Sequence, residues 1–173
     1  MGVRSYYNVD IAEVRDVVAL LDSSRLGSLR IVTFDEMPSL DRATVVHIDP
    51  RDMEPSREIR HAFAMACKQV APDEISGKLE LAVGEAISNA IRHASPRSIK
   101  CCFKVDERRV QFRVEDDGRG IAPRYLATLP VPGRNLKQSL GIGFYMMRVA
   151  FSTVLVATRV GRGTAIHLEY VFP

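Results

Sequence analysis

The apolar residues of this chain change their spacing at Ser95-Pro96. Upstream, Ile59, Phe63, Ala66 and Val70 recur at helical intervals, and Leu79, Val83, Ala86, Ile87 and Ala90 do so again. Downstream, Ile99, Cys101, Phe103 and Val105 take alternate positions, as do Val110, Phe112 and Val114. The polar turn at 106–108 joins these two runs as a hairpin. Striped helices and one-faced strands both need a surface to cover their apolar side. The order predicts helices over one face of a largely antiparallel sheet, an α+β sandwich.

The rest of the chain fits that plan. Ser56 is the expected N-cap of the first helix, which runs to about Val70, and Asp73 or Ser76 opens the second, which runs to about Ala94. Residues 44–48 read as a strand. Residues 121–140 hold three Pro and one Gly with little periodicity. A loop of about 20 residues in a compact domain is usually functional. Gly141-Ile142-Gly143 opens a helix to about Phe151, and strands over 153–159 and 164–172 follow. Toward the N-terminus, residues 10–22 read as a helix and 29–34 as a short strand. The polar turn-like stretch 35–42 is the expected boundary between an appendage, 1–43, and a main domain, 44–173.

Composition narrows the class. With 173 residues, 46% hydrophobic and 26% charged, the chain has enough apolar surface for a core, and disorder throughout is not expected. The three cysteines, Cys67, Cys101 and Cys102, lack metal-ligand spacing and suit a reducing cytoplasmic setting. No apolar signal core opens the chain and no apolar run approaches a membrane span, so a cytoplasmic protein with no membrane partner is expected. The net charge of +3 is too small to indicate a nucleic-acid partner. Its distribution says more. Residues 118–167 contain no Asp or Glu and seven basic residues, an imbalance that suggests an anionic ligand.

Four groups of residues carry the candidate chemistry. Glu85, Asn89 and His93 share one stripe of the second helix at four-residue spacing. A carboxylate and an amide one turn apart can hold a hard cation and a hydroxyl together, although an ordinary solvated helix face has the same composition. Asp116-Asp117-Gly118-Arg119-Gly120 lies at a strand end, where a carboxylate can accept from an exocyclic amine and glycines admit a flat ligand. The same residues also make an ordinary turn. Gly141 and Gly143 at a helix start suit phosphate, and equally suit a plain helix entry through flexible residues. Gly163-Thr164 brings a hydroxyl into a strand. His93 could meet a phosphate, or could simply end its helix favourably.

The combination Glu85-x-x-x-Asn89, Asp116-x-Gly118-x-Gly120, Gly141-x-Gly143 and Gly163-Thr164 resembles the conserved boxes of the GHKL ATPases. LELAVGEAISNAIRHA, VEDDGRGIAP, SLGIGFYMMR and VGRGTAIHL look most like the bacterial anti-sigma-factor serine kinases, and the likeness covers residues 44–173. The resemblance implies helices over a mixed sheet, binding ATP and Mg²⁺ beneath a lid at about 121–140. It implies Glu85 as general base and Asn89 as Mg²⁺ ligand. Asp116 would take the adenine amine, with Gly118, Gly120 and Thr164 around the base and Gly141 and Gly143 at the phosphates. Arg119, Arg134 and Arg148 are the first candidates to neutralise transferring charge, with His93 beside them. The implied partners are an antagonist protein with a phosphorylatable Ser or Thr and a sigma factor or similar regulator, with a homodimer as a further implication. Two alternatives remain: a nucleotide-gated binding module, and the catalytic part of a split histidine kinase. One departure is Ser152, where the family often carries Asp.

Overall fold

The computed structural model describes residues 28–122, 125 and 140–173. The expected helix at 10–22, and Arg124, Arg134 and most of the expected lid, lie outside these residues.

Six strands form one sheet. They are β1 (Leu29–Ile31), β2 (Thr44–Ile48), β3 (Ile99–Val105), β4 (Arg109–Asp116), β5 (Thr153–Arg159) and β6 (Gly163–Val171), in the order β1-β5-β6-β4-β3-β2. Among the described residues only the β1–β5 pair is parallel, and the helices are α1 (Glu54–Lys68), α2 (Asp73–His93) and α3 (Leu140–Ala150). The expected α+β sandwich, helices over a mixed and largely antiparallel sheet, is the fold observed. None of the described helices is long and apolar enough to cross a membrane.

The alternation read from the sequence sets which face of the sheet the helices cover. Ile99, Cys101, Phe103, Val110, Phe112 and Val114 enter the core together with Ile166 and Leu168. Phe63 of α1 meets Phe112 at 5.3 Å and Phe103 at 5.7 Å between ring centroids, both edge-on. Such edge contacts add about 0.5–1.5 kcal/mol each beyond burial. Phe63→Ala should therefore cost about 3–5 kcal/mol and loosen α1 from the β3–β4 hairpin. Phe144 and Met147 of α3, and Phe151 just after it, are buried in the same core.

Helix starts differ from expectation by a few residues. Ser56 is not the N-cap of α1. The helix begins at Glu54, with Pro55 in its first turn, where no backbone N–H is required. The Asp52 carboxylate takes the Glu54 amide instead, at 3.1 Å. Helix α2 starts at Asp73, one of its two expected openings, and Ser76 lies inside it.

The expected strand 29–34 is only three residues long. The chain then leaves the sheet through a 3-10 turn, Phe34–Glu36, where the Glu36 carboxylate accepts from the amide and the hydroxyl of Thr33. Because β1 and β2 occupy opposite edges, residues 32–43 must cross the sheet. They cross on the side away from the helices: the Arg113 guanidinium donates to the Pro38 carbonyl, and Arg162 sits 5.5 Å over the Phe34 ring. Cys102, Arg113 and His167 form a buried cross-strand row on that side. Part of the expected appendage is thus an edge strand and strap of the same sheet.

Candidate nucleotide site

At one end of the core face the apolar rows stop and a polar row begins. Asp116 of β4 pairs with Thr164 of β6, which pairs in turn with Thr158 of β5. All three have the same pleat parity as the core residues Val114, Ile166 and Val156. They therefore floor the end of the sandwich, under the C-terminal turn of α2.

Poor hydration of its partly buried site pushes the Asp116 carboxyl up to about 6; the amides of Gly118 and Thr164 pull the other way. Its Oδ1 accepts from the Gly118 amide at 2.9 Å. The neighbouring Asp117 does something different. It turns outward and takes the amides of Arg97 and Ser98 at 2.8 and 2.9 Å, which holds its pKa below the usual range. One aspartate faces the pocket and the next ties β4 to the end of α2.

The glycines here are where backbone meets backbone. A Cβ on Gly118 would collide with the Ala94 carbonyl at the end of α2, and one on Gly163 with the Asp116 carbonyl. Gly120 and Gly163 also have φ of +73° and +111°, which side chains rarely adopt. These positions hold the strand ends and the end of α2 in close backbone contact.

Glu85 and Asn89 lie on the side of α2 that meets α3. Gly143 sits against both: a Cβ there would be 2.9 Å from Asn89 Nδ2 and 3.2 Å from Glu85 Oε2. Asn89 is only 9% exposed, and its Nδ2 has no hydrogen-bond partner among the described residues. A buried amide without a partner is costly, and its two ends are interchangeable by a flip. The open cradle beside Gly143 and this orphaned amide fit a bound cation. Among the described residues no cluster of three or more His, Cys, Asp or Glu gathers.

The remaining expected residues divide. Gly141 lies in the first turn of α3. Arg119 has partners within the protein: its amide donates to Ala94 O at 2.8 Å and its guanidinium to the His93 carbonyl. This places positive charge at the C-terminus of α2, a favourable position for a cation. His93 is held below the usual imidazole range by partial burial, then by Arg119 and Arg92. The Arg148 guanidinium sits 5.9 Å over the Tyr145 ring.

Sequence reasoning missed Thr158. It is 1% exposed, and its Oγ1 accepts from the Ile121 amide at 2.8 Å and lies 3.0 Å from Thr164 Oγ1. The signal was present: the tight 160–162 turn pairs Arg159 with Gly163, so Thr158 must face Thr164.

Residues 47–170 match the family model of the histidine kinase-like ATPase domain. The chain belongs to that family, within the GHKL superfamily, and is an ATP-binding module of the kinase type. Among solved structures, the Acinetobacter baumannii histidine kinase AdeS is similar with a TM-score of 0.41 and 15% identity, over 92% of this chain and 76% of that one. No curated protein matches the chain.

Proposed function

We propose that the protein is an ATP-dependent serine/threonine protein kinase of a bacterial partner-switching system. It would phosphorylate a small antagonist protein and sequester a sigma factor or similar regulator. The observation that carries this reading is the pairing of Glu85 with Asn89 beside the Gly143 cradle, with no ion pair to Glu85 among the described residues. A carboxylate not committed to an ion pair and one helical turn from a cation-binding amide is placed to accept a hydroxyl proton.

In this reading bound ATP with Mg²⁺ supplies the γ-phosphoryl group and charge neutralisation. Asn89 holds the cation, Asp116 accepts from the adenine amine, and Thr164, Gly118 and Gly120 shape the base pocket. Gly141 and Gly143 offer the start of α3 to the phosphates. A partner hydroxyl oxygen bonds to the γ-phosphorus as the bond to the β–γ bridging oxygen breaks. ADP leaves and Glu85 takes the hydroxyl proton. Positioning and electrostatics suffice for such a transfer.

The test is a transfer assay with γ-labelled ATP on partner proteins captured from the native cell. Acid-stable label on a partner, lost in Glu85→Gln while ATP still binds, is the expected result. Acid-labile label would instead indicate a phosphohistidine product. A regulator held in an ATP-dependent way without any label would make the protein a nucleotide-gated binding module.

A further inference from the structure

The buried hydroxyl of Thr158 has more neighbours than it has hydrogens. Its Oγ1 accepts from the Ile121 amide at 2.8 Å, and stands 3.2 Å from the Gly163 carbonyl and 3.0 Å from Thr164 Oγ1. A threonine hydroxyl has one hydrogen and two lone pairs. The Ile121 amide uses one lone pair. The carbonyl of Gly163 can only accept, so it takes the Thr158 hydrogen. The second lone pair then receives the hydrogen of Thr164. This assignment satisfies all three groups, which matters where Thr158 is 1% and Thr164 5% exposed.

The result is a directed chain, Thr164 to Thr158 to Gly163. With its hydrogen drawn inward, Thr164 offers only lone pairs on its other side. Asp116, its pair across β4 and β6, is also an acceptor when ionised. Among the described residues, Asp116, Thr158 and Thr164 therefore present acceptors and no hydroxyl donor on this floor.

We propose that Thr158 is a specificity-determining positioning residue, which keeps this floor acceptor-only and so selects a six-amino purine nucleotide over a six-oxo one. An exocyclic amine finds partners there, whereas a six-oxo oxygen meets lone pairs. Without the Thr158 hydroxyl, Thr164 is free to rotate and donate to an oxo group. The inference rests on the nucleotide reading of the site.

The experiment compares binding of ATP and inosine triphosphate, which differ at the purine six-position and in the hydrogen that N1 carries in the six-oxo base, by calorimetry. The proteins are wild type, Thr158→Val and Thr158→Ser, with thermal unfolding to confirm that each is folded. Thr158→Val should narrow the ATP preference by about tenfold, mainly through tighter inosine triphosphate binding, while Thr158→Ser restores the wild-type ratio. Thr158→Ala repeats the measurement if the valine variant does not fold. A Thr158→Val protein that loses both nucleotides by the same factor, or keeps the wild-type ratio, overturns the relay alone. A wild type that binds neither nucleotide overturns the nucleotide reading as well.

Discussion

Gly143 presses its α-carbon against the carboxamide of Asn89, leaving 2.9 Å between Asn89 Nδ2 and the place a Cβ would take. Helix α3 can approach α2 this closely only because position 143 has no side chain. An alanine inside a helix ordinarily adds about 0.5–1 kcal/mol over glycine. At this position the gain is offset, because Asn89 or Glu85 must move. Gly143→Ala should weaken ATP binding in Mg²⁺ about tenfold or more with no gain in melting temperature. Gly77 is the control: nothing lies within 4 Å of its Cβ position. Gly77→Ala should raise stability by about 0.5–1 kcal/mol and leave ATP affinity unchanged, as calorimetry would show.

The adjacent aspartates should respond in opposite directions. Asp116→Asn should lose ATP affinity by about a hundredfold yet stabilise the ligand-free protein at pH 7 by about 1 kcal/mol, since it removes a poorly hydrated charge. Partial exposure of the carboxylate to water keeps this gain small. Asp117→Ala removes the acceptor for the amides of Arg97 and Ser98 and should cost about 1 kcal/mol, with ATP affinity retained. Denaturation midpoints and titration of ATP separate the two.

Acid should reveal a balance between a buried group and a partly buried one. Burial and the neighbouring Arg113 depress the His167 imidazole to about 4. The unfolded chain therefore takes up a proton first, and stability present above pH 6.5 is lost as pH falls toward 4, by about 3 kcal/mol in full. Asp116 has the opposite sign. The folded state binds its proton more tightly, so acidification from pH 6 toward 3.8 restores stability. Asp116→Asn should thus lose stability on acidification more steeply than wild type, and His167→Gln less steeply. Urea titrations at pH 7 and 4.5 would show it. ATP affinity should fall as pH drops through 6, because a protonated Asp116 has lost part of its acceptor capacity.

Arg119 offers a test of its place at the end of α2. Arg119→Ala should lower stability by about 0.5–1 kcal/mol through loss of its bond to the His93 carbonyl. ATP affinity should change little. A large loss of affinity with unchanged stability would instead assign the guanidinium to phosphate.

Much of this architecture was legible in the residues. The alternation through 99–114 placed Phe103, Phe112 and their neighbours on the core side, and the helical spacing of α1 and α2 marked the surfaces that cover them. Glu85 and Asn89 stand out by their four-residue spacing along α2, and Asp116 and Thr164 by the glycines beside them at strand ends. Other features left little local trace. Strand β1 shows as a short apolar run, but nothing local in it points to its partner β5, more than 120 residues further on. Thr158 sits in an ordinary strand sequence, where threonine is a common residue, so only the cross-strand register exposes its role. The start of α1 was misplaced because the Asp52 carboxylate and Pro55 stand in for the expected serine cap.

The strap from β1 to β2 also has a temporal consequence. Both border strands are near the beginning of the chain, while every strand between them comes later. As the polypeptide emerges from a ribosome, β2 must wait for β3, and β1 must wait for β5. Until then two strands carry unsatisfied backbone, and residues 32–43 have no surface to lie on. Pairings this distant in sequence slow folding. The nascent protein should therefore remain open to proteolysis until β5 and β6 are made, and truncation before Thr153 should abolish the fold rather than trim it.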